Sequence, residues 1–121
     1  LNQVELAYTD AVALGFDIPL KSSGDIVDTP GAMLMGPNGF FEMDQGVIRA
    51  LRHVHMHPDD ARFYQVSQGD FMSMRVRGAC GMTFEQMLVR VDPSFKLEVH
   101  IDTDEGNACN LLPNTSCELI R

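Results

Sequence analysis

Short apolar runs alternate with turn-forming clusters along the whole chain. The runs QVELAY, AMLMG, FFEMDQ, VIRALRHVHM, FMSMRVR, MLVRV and KLEVHID have the β-branched, aromatic and alternating character of strands. Between them stand SSGD, DTPG, GPNG, SQGD, RGACG and DPSF, built from residues that favour turns. GPNG, residues 36–39, lies between two strand-like runs and predicts a hairpin turn. The methionines at 33, 35, 72 and 74 alternate and are expected to fill a barrel interior. Helical signals are brief. TDAVALG offers Thr9 as an N-cap and Gly15 as the residue past the helix end. HPDDARFY places Pro58 at a first helical position, with Asp59 and Asp60 at the positive helix end. TDEGNA at 103–108 predicts one more short helix. The pattern as a whole predicts a β-rich barrel.

The length of 121 residues suits one compact domain's worth of chain, and 45% hydrophobic residues can bury a core. A formal net charge of -8 argues against a nucleic-acid or anionic-membrane surface. It leaves room for one anionic ligand held by a few well-placed groups. No apolar run reaches the ~18 residues of a membrane span. The opening LNQVELAYTD has neither a basic n-region nor an apolar h-region, so it does not read as a signal peptide. Three cysteines, Cys80, Cys109 and Cys117, without a Cys-x-x-Cys pair, point to a reducing compartment rather than a disulfide framework. Cys80, in RGACGM with no base motif beside it, reads as structural rather than nucleophilic.

The candidate chemistry lies in RHVHMHPDD, where histidines stand at 53, 55 and 57. Residues i and i+2 of a strand share a face, so His53 and His55 present two imidazoles side by side. That suits zinc, which accepts neutral histidine nitrogen; it equally describes two histidines on an edge strand. His100, in LEVHIDTDEGNA, is the remaining histidine and also ends a strand. His57 precedes Pro58 and reads as a turn or N-cap residue rather than a ligand. Glu5 reads as a carboxylate ligand or a solvated strand residue, and Asn107 as a helix-capping or ligand-facing residue. One internal echo links QVELAYTDA to EVHIDTDEGNA: a strand, then Thr-Asp opening a helix, with Glu5 where His100 falls in the second copy.

Taken together, the stretches QVELAYTDAVALGFDIPLKSSGDIVDTPGAMLMGPNG, GVIRALRHVHMHPDDA, VSQGDFMSMRV and MLVRVDPSFKLEVHIDTDEGNA resemble the PduL-type phosphate propanoyltransferases, or phosphotransacylases. The resemblance implies two similar closed β-barrels capped by short helices, with a dinuclear zinc site between them. It implies that residues 1–15 end the first barrel, that 16–112 form the second, and that 113–121 are a tail the family does not explain. His53, His55 and His100 would hold one zinc, and Glu5 would help to hold the other. Asn107 and His100 would lie near the coenzyme A and phosphate pocket. A second His-x-His pair and a phosphate-binding arginine of the family are not in this sequence, and a small capping residue is usual where His57 stands.

The implied reaction is acyl-CoA plus phosphate to acyl phosphate plus CoA, with propanoyl the expected acyl group. This chain would be part of such an enzyme, holding one of two zinc ions and turning over little by itself. Its expected partners are acyl-CoA, phosphate and either a separate N-terminal half or further copies of itself. The expected location is the bacterial cytoplasm or the lumen of a bacterial microcompartment. The alternatives are a non-catalytic zinc-binding β-barrel, a partner subunit needing a separate first barrel, and a cupin-like domain. A cupin would want a glutamate after the histidine pair, where Asp59 and Asp60 stand instead.

Overall fold

A computed structural model describes residues 1–121, which divide into two compact units, 1–51 and 52–121. The division falls inside the stretch read as a second barrel. In chain order the first unit carries β1 (Val4–Glu5), α1 (Tyr8–Leu14), β2 (Leu20–Lys21), β3 (Ala32–Gly36), β4 (Gly39–Met43) and β5 (Val47–Ala50). The second carries β6 (His53–Met56), α2 (Pro58–Tyr64), β7 (Phe71–Val76), β8 (Met82–Val91), β9 (Glu98–His100), α3 (Thr103–Ala108) and β10 (Cys117–Ile120). The expected mainly β fold with a few short helices is what the chain adopts. No helix is long and apolar enough to cross a membrane.

In the first unit β5 lies between β1 and β2 and is parallel to both. Its Val47 packs with Ala11 of α1 and Ile18, and Val4, Leu6, Phe16 and Ala32 complete a small core. Gly46 admits the chain into β5 with φ 125°, and a Cβ there would lie 2.6 Å from the Asn2 carbonyl oxygen. β3 and β4 form the predicted hairpin, with Gly36 opposite Gly39 across Pro37 and Asn38. Met33 and Met35 do not fill an interior. The two strands pair only with each other, and both side chains are exposed. Tyr8, expected in a strand, instead opens α1, because ladder pairing stops at Leu6, whose N–H reaches Ile48 O at 2.9 Å. The N-cap is therefore Ala7, which has no capping side chain, and Thr9 is already helical. Gly15 ends α1 as expected, in the left-handed region at φ 79°.

The second unit holds a five-stranded sheet in the order β10-β7-β8-β6-β9. β6 runs parallel to β8 and antiparallel to β9. Val54, Met56, Met72, Met74, Val76, Phe84, Met87 and Val89 are buried together on its inner side, with Ala61 of α2 and Cys109 beyond α3. Here the expectation for Met72 and Met74 holds. β9 and β10 are the two edges of this sheet and do not pair with each other. The single strand expected over VIRALRHVHM is two: it breaks at Leu51 and Arg52, where the Leu51 N–H goes to Lys21 O (2.8 Å) and Arg52 O accepts from Leu88 N–H (3.2 Å). Local pattern cannot mark such a change of ladder partner. β10 comes from the tail and pairs with β7 over Cys117–Ile120. The three cysteines are free, and Cys80 lies exposed in the loop before β8.

Candidate metal centre

Strand register assembles the site. On β6, His53 and His55 share a face by their spacing of two. The antiparallel pairing of β6 with β9 sets His100 directly opposite His53 and Glu98 directly opposite His55. Opposed residues lie on one face, so three imidazoles and one carboxylate meet there. One potential ligand nitrogen from each histidine falls within 4.8 Å of the others. The His53 and His100 rings stack, with centroids 4.8 Å apart and planes at 8°. His55 lies 4.3 Å from His100 and 5.0 Å from His53 by ring centroids, tilted to both.

The surroundings favour a neutral His55 ring. Burial lowers the pKa of His55 below its ordinary value, and the charges of His100, His53 and Arg90 add to that; Glu98 opposes it. His53 is buried. His100 Nε2 is shielded from solvent and makes no hydrogen bond, although Glu98 Oε1 lies 3.3 Å away. Three converging imidazoles, one of them with a ring nitrogen that makes no hydrogen bond, fit a divalent metal ion. The bland reading of an edge-strand pair does not account for His100.

Three neighbours escaped sequence reasoning, and a fourth, Glu105, stands in an acidic turn that reads as solvated but is buried. Phe95 stacks on His55, with centroids 3.9 Å apart and planes at 9°. It is brought there by the turn after β8, where Asp92 accepts from Ser94 N–H (2.8 Å) and Oγ (2.6 Å) and the Phe95 N–H reaches Asp92 O (3.0 Å). Glu98 was readable in retrospect, since it precedes His100 by two. Arg52 and Glu105 form an ion pair at 3.1 Å, joining the segments that carry His53 and His100; no spacing rule announces it.

The other predicted residues fall elsewhere. Glu5 belongs to the first unit, where its Oε1 accepts from Gln3 Nε2 (2.7 Å) and Ser23 Oγ (3.1 Å). Asn107 is exposed on α3. His57 is the N-cap of α2: its Nδ1 accepts from Asp59 N–H (3.1 Å), and its own N–H donates to Asp60 (3.2 Å). The capping role expected for it is the one it plays, in place of the usual small residue.

A mainly β unit that sets three imidazoles on one sheet face is a candidate metal-binding domain. Comparison with known proteins narrows this. The family model described as Phosphate propanoyltransferase matches residues 1–112. A Phosphate propanoyltransferase of Planctopirus limnophila is 52% identical over 121 residues, 99% of this chain and 50% of that protein. Proteins of the same name are 46% identical in Thermotoga maritima, covering 91% of this chain and 53% of theirs, and 39% identical in Listeria monocytogenes, covering 99% and 56%. The chain belongs to the phosphate propanoyltransferase family. It spans about half the length of the curated relatives it matches.

Proposed function

We propose that this chain is the zinc-binding half of a phosphate propanoyltransferase that interconverts propanoyl-CoA plus phosphate with propanoyl phosphate plus CoA. The observation that carries the reading is the convergence of His53, His55 and His100 on one face of β6 and β9. The three histidines are the ligands of one zinc ion. When bound, zinc supplies a positive charge that favours the thiolate form of a thiol and polarises a carbonyl oxygen. Around it, this chain's residues orient and shield. Phe95 fixes the plane of His55 and keeps water from that side of the ring. Glu98 stands beside His100, its Oε1 3.3 Å from Nε2, and places a negative charge next to the ring. Glu5 is assigned to a second zinc and Asn107 to the coenzyme A and phosphate pocket, both by family resemblance.

The closed barrel belongs to the same proposal. Leu97, Glu98 and Val99 from one sheet edge and Cys117, Glu118 and Leu119 from the other line one cavity of about 530 Å³. Edges that share a cavity favour closure by further polypeptide from the remainder of the protein. The setting is the bacterial cytoplasm or a microcompartment lumen. The half-length match to the relatives keeps a second reading beside the first: a non-catalytic zinc-binding β domain, inactive even when the other half is supplied.

Zinc content tests the metal assignment. Native mass spectrometry of the chain purified without chelator is expected to show one zinc, lost in His100→Ala. Absence of zinc from the wild-type chain, or its retention in the variant, overturns the assignment. By itself the chain is expected to convert propanoyl-CoA and phosphate little or not at all, and addition of the remaining half from the Planctopirus relative is expected to restore turnover. Failure of that addition, with zinc in place, leaves the non-catalytic reading as the correct one.

A further inference from the structure

Glu105 is the one buried carboxylate of the chain, 8% exposed. Each of its oxygens is engaged by a different segment. Oε1 accepts from the Asp102 backbone N–H at 3.0 Å, two residues after His100. Oε2 accepts from Arg52 Nη1 at 3.1 Å, one residue before His53. Arg52 in turn donates Nε to the Glu85 carbonyl at 2.7 Å, which fixes its guanidinium.

A capping box does not require this arrangement. α2 carries the same box, and there the carboxylate of Asp60 accepts from the His57 N–H with no arginine beside it. A carboxylate taken from water costs several kcal/mol unless it is paired. The burial and the arginine at Glu105 therefore ask for a reason beyond the cap.

The ladder supplies one. β9 is three residues long and stands at the sheet edge. Its pairing with β6 runs Glu98 to His55, Val99 to Val54 and His100 to His53, and ends there. His53 and His100 are thus the last rung, where an edge strand frays first. The Glu105–Arg52 contact sits just beyond that rung and joins the two segments across the open end.

We propose that Glu105, through Arg52, is a positioning residue for the three-histidine centre. It holds the His100 segment against the His53 segment so that the imidazoles stay within reach of one ion. The inference rests on the metal-centre reading above.

Zinc affinity, measured by competition with a chromophoric chelator, separates this role from simple stability. Glu105→Gln keeps an oxygen for the cap and loses the ion pair. Its zinc affinity is expected to fall about 10–100-fold, as is typical when a group supporting a metal ligand is removed. Asp60→Asn disturbs the equivalent box on α2 and is expected to lower stability in urea with zinc affinity within twofold of wild type. Arg52→Gln reaches the same ion pair from the other side, should Glu105→Gln fail to fold, and is expected to show the same loss. Zinc binding within twofold of wild type in a folded Glu105→Gln or Arg52→Gln overturns the inference, as does an equal loss in Asp60→Asn. A wild-type chain that binds no zinc overturns the metal centre itself, and this role with it.

Discussion

Two methionines of the same chain should respond very differently to the same substitution. Met87 is fully buried in the second unit, while Met35 on the hairpin of the first is 82% exposed. Met87→Ala removes a methylene, a sulfur and a methyl. At about 0.8 kcal/mol per buried group this is about 2.4 kcal/mol before any cavity is counted. The cavity raises it to about 3–4 kcal/mol, within the usual range for such truncations. Met35→Ala removes atoms already in water and should change stability by less than about 0.5 kcal/mol. The chain has no tryptophan and two tyrosines, Tyr8 in the first unit and Tyr64 in the second. Fluorine NMR of chain labelled with 3-fluorotyrosine therefore gives one resonance per unit. With a urea slope of about 1–1.5 kcal/mol/M for a unit of this size, the Tyr64 midpoint should drop by about 2–4 M in Met87→Ala. The Tyr8 midpoint should stay unchanged in Met35→Ala. Equal midpoint shifts for the two variants would refute the burial argument and return Met33 and Met35 to an interior.

Two further outcomes follow from local structure. Hydrogen bonds from Ser94, the side-chain bond first, hold the Asp92 carboxyl below its ordinary pKa. A carboxylate stabilised in this way favours the folded turn above the ordinary carboxyl range, and that contribution is lost as pH falls through the lowered value. Carbon-detected NMR titration should find the Asp92 pKa raised in Ser94→Ala, and an unchanged value would remove the bond from the account. Deleting residues 113–121 strips β10 from β7 and uncovers the core beneath Leu119. At about 1 kcal/mol net per ladder hydrogen bond, plus lost burial, the cost is about 2–4 kcal/mol. It should appear at Tyr64 alone, and an unaltered Tyr64 midpoint would make the tail an ornament of the fold.

The parts legible in the sequence were those decided within a few residues. AMLMG and TDEGNA are β3 and α3, and Pro58 opens α2, because alternation, capping and the proline ring act locally. The His53–His55 pair was legible for the same reason. What distant partners decide was not. VIRALRHVHM reads as one strand, yet its halves join different ladders. Met33 and Met72 stand in similar alternating runs, and only the presence of a packed layer separates an exposed residue from a buried one. His100 could be joined to the pair through resemblance, whereas the register of β9 on β6 shows the juxtaposition directly. Phe95, Arg52 and Glu105 reach the site through turn and ion-pair geometry that leaves no periodic mark.

The echo noticed between the two ends of the chain has a structural form, and a third copy. Glu5, His55 and His100 each stand two residues before the N-cap of a short helix, with caps at Ala7, His57 and Asp102. All three caps are extended, so the side chain two residues earlier shares the cap's side of the backbone. The cap turns the chain away into the helix and ends the strand there. A residue in that position is carried by a ladder on one side and held by a helix start on the other, which restricts its motion without burying it. This is the kind of support a metal ligand needs. The recurrence makes Glu5 a more specific candidate than an exposed strand glutamate, and it explains why a Thr-Asp follows Glu5 at the fourth residue but His100 at the third. Aligned on the caps, Tyr8 corresponds to Thr103 and Thr9 to Asp104, so the shared Thr-Asp was the wrong landmark and the strand-to-helix corner is the right one.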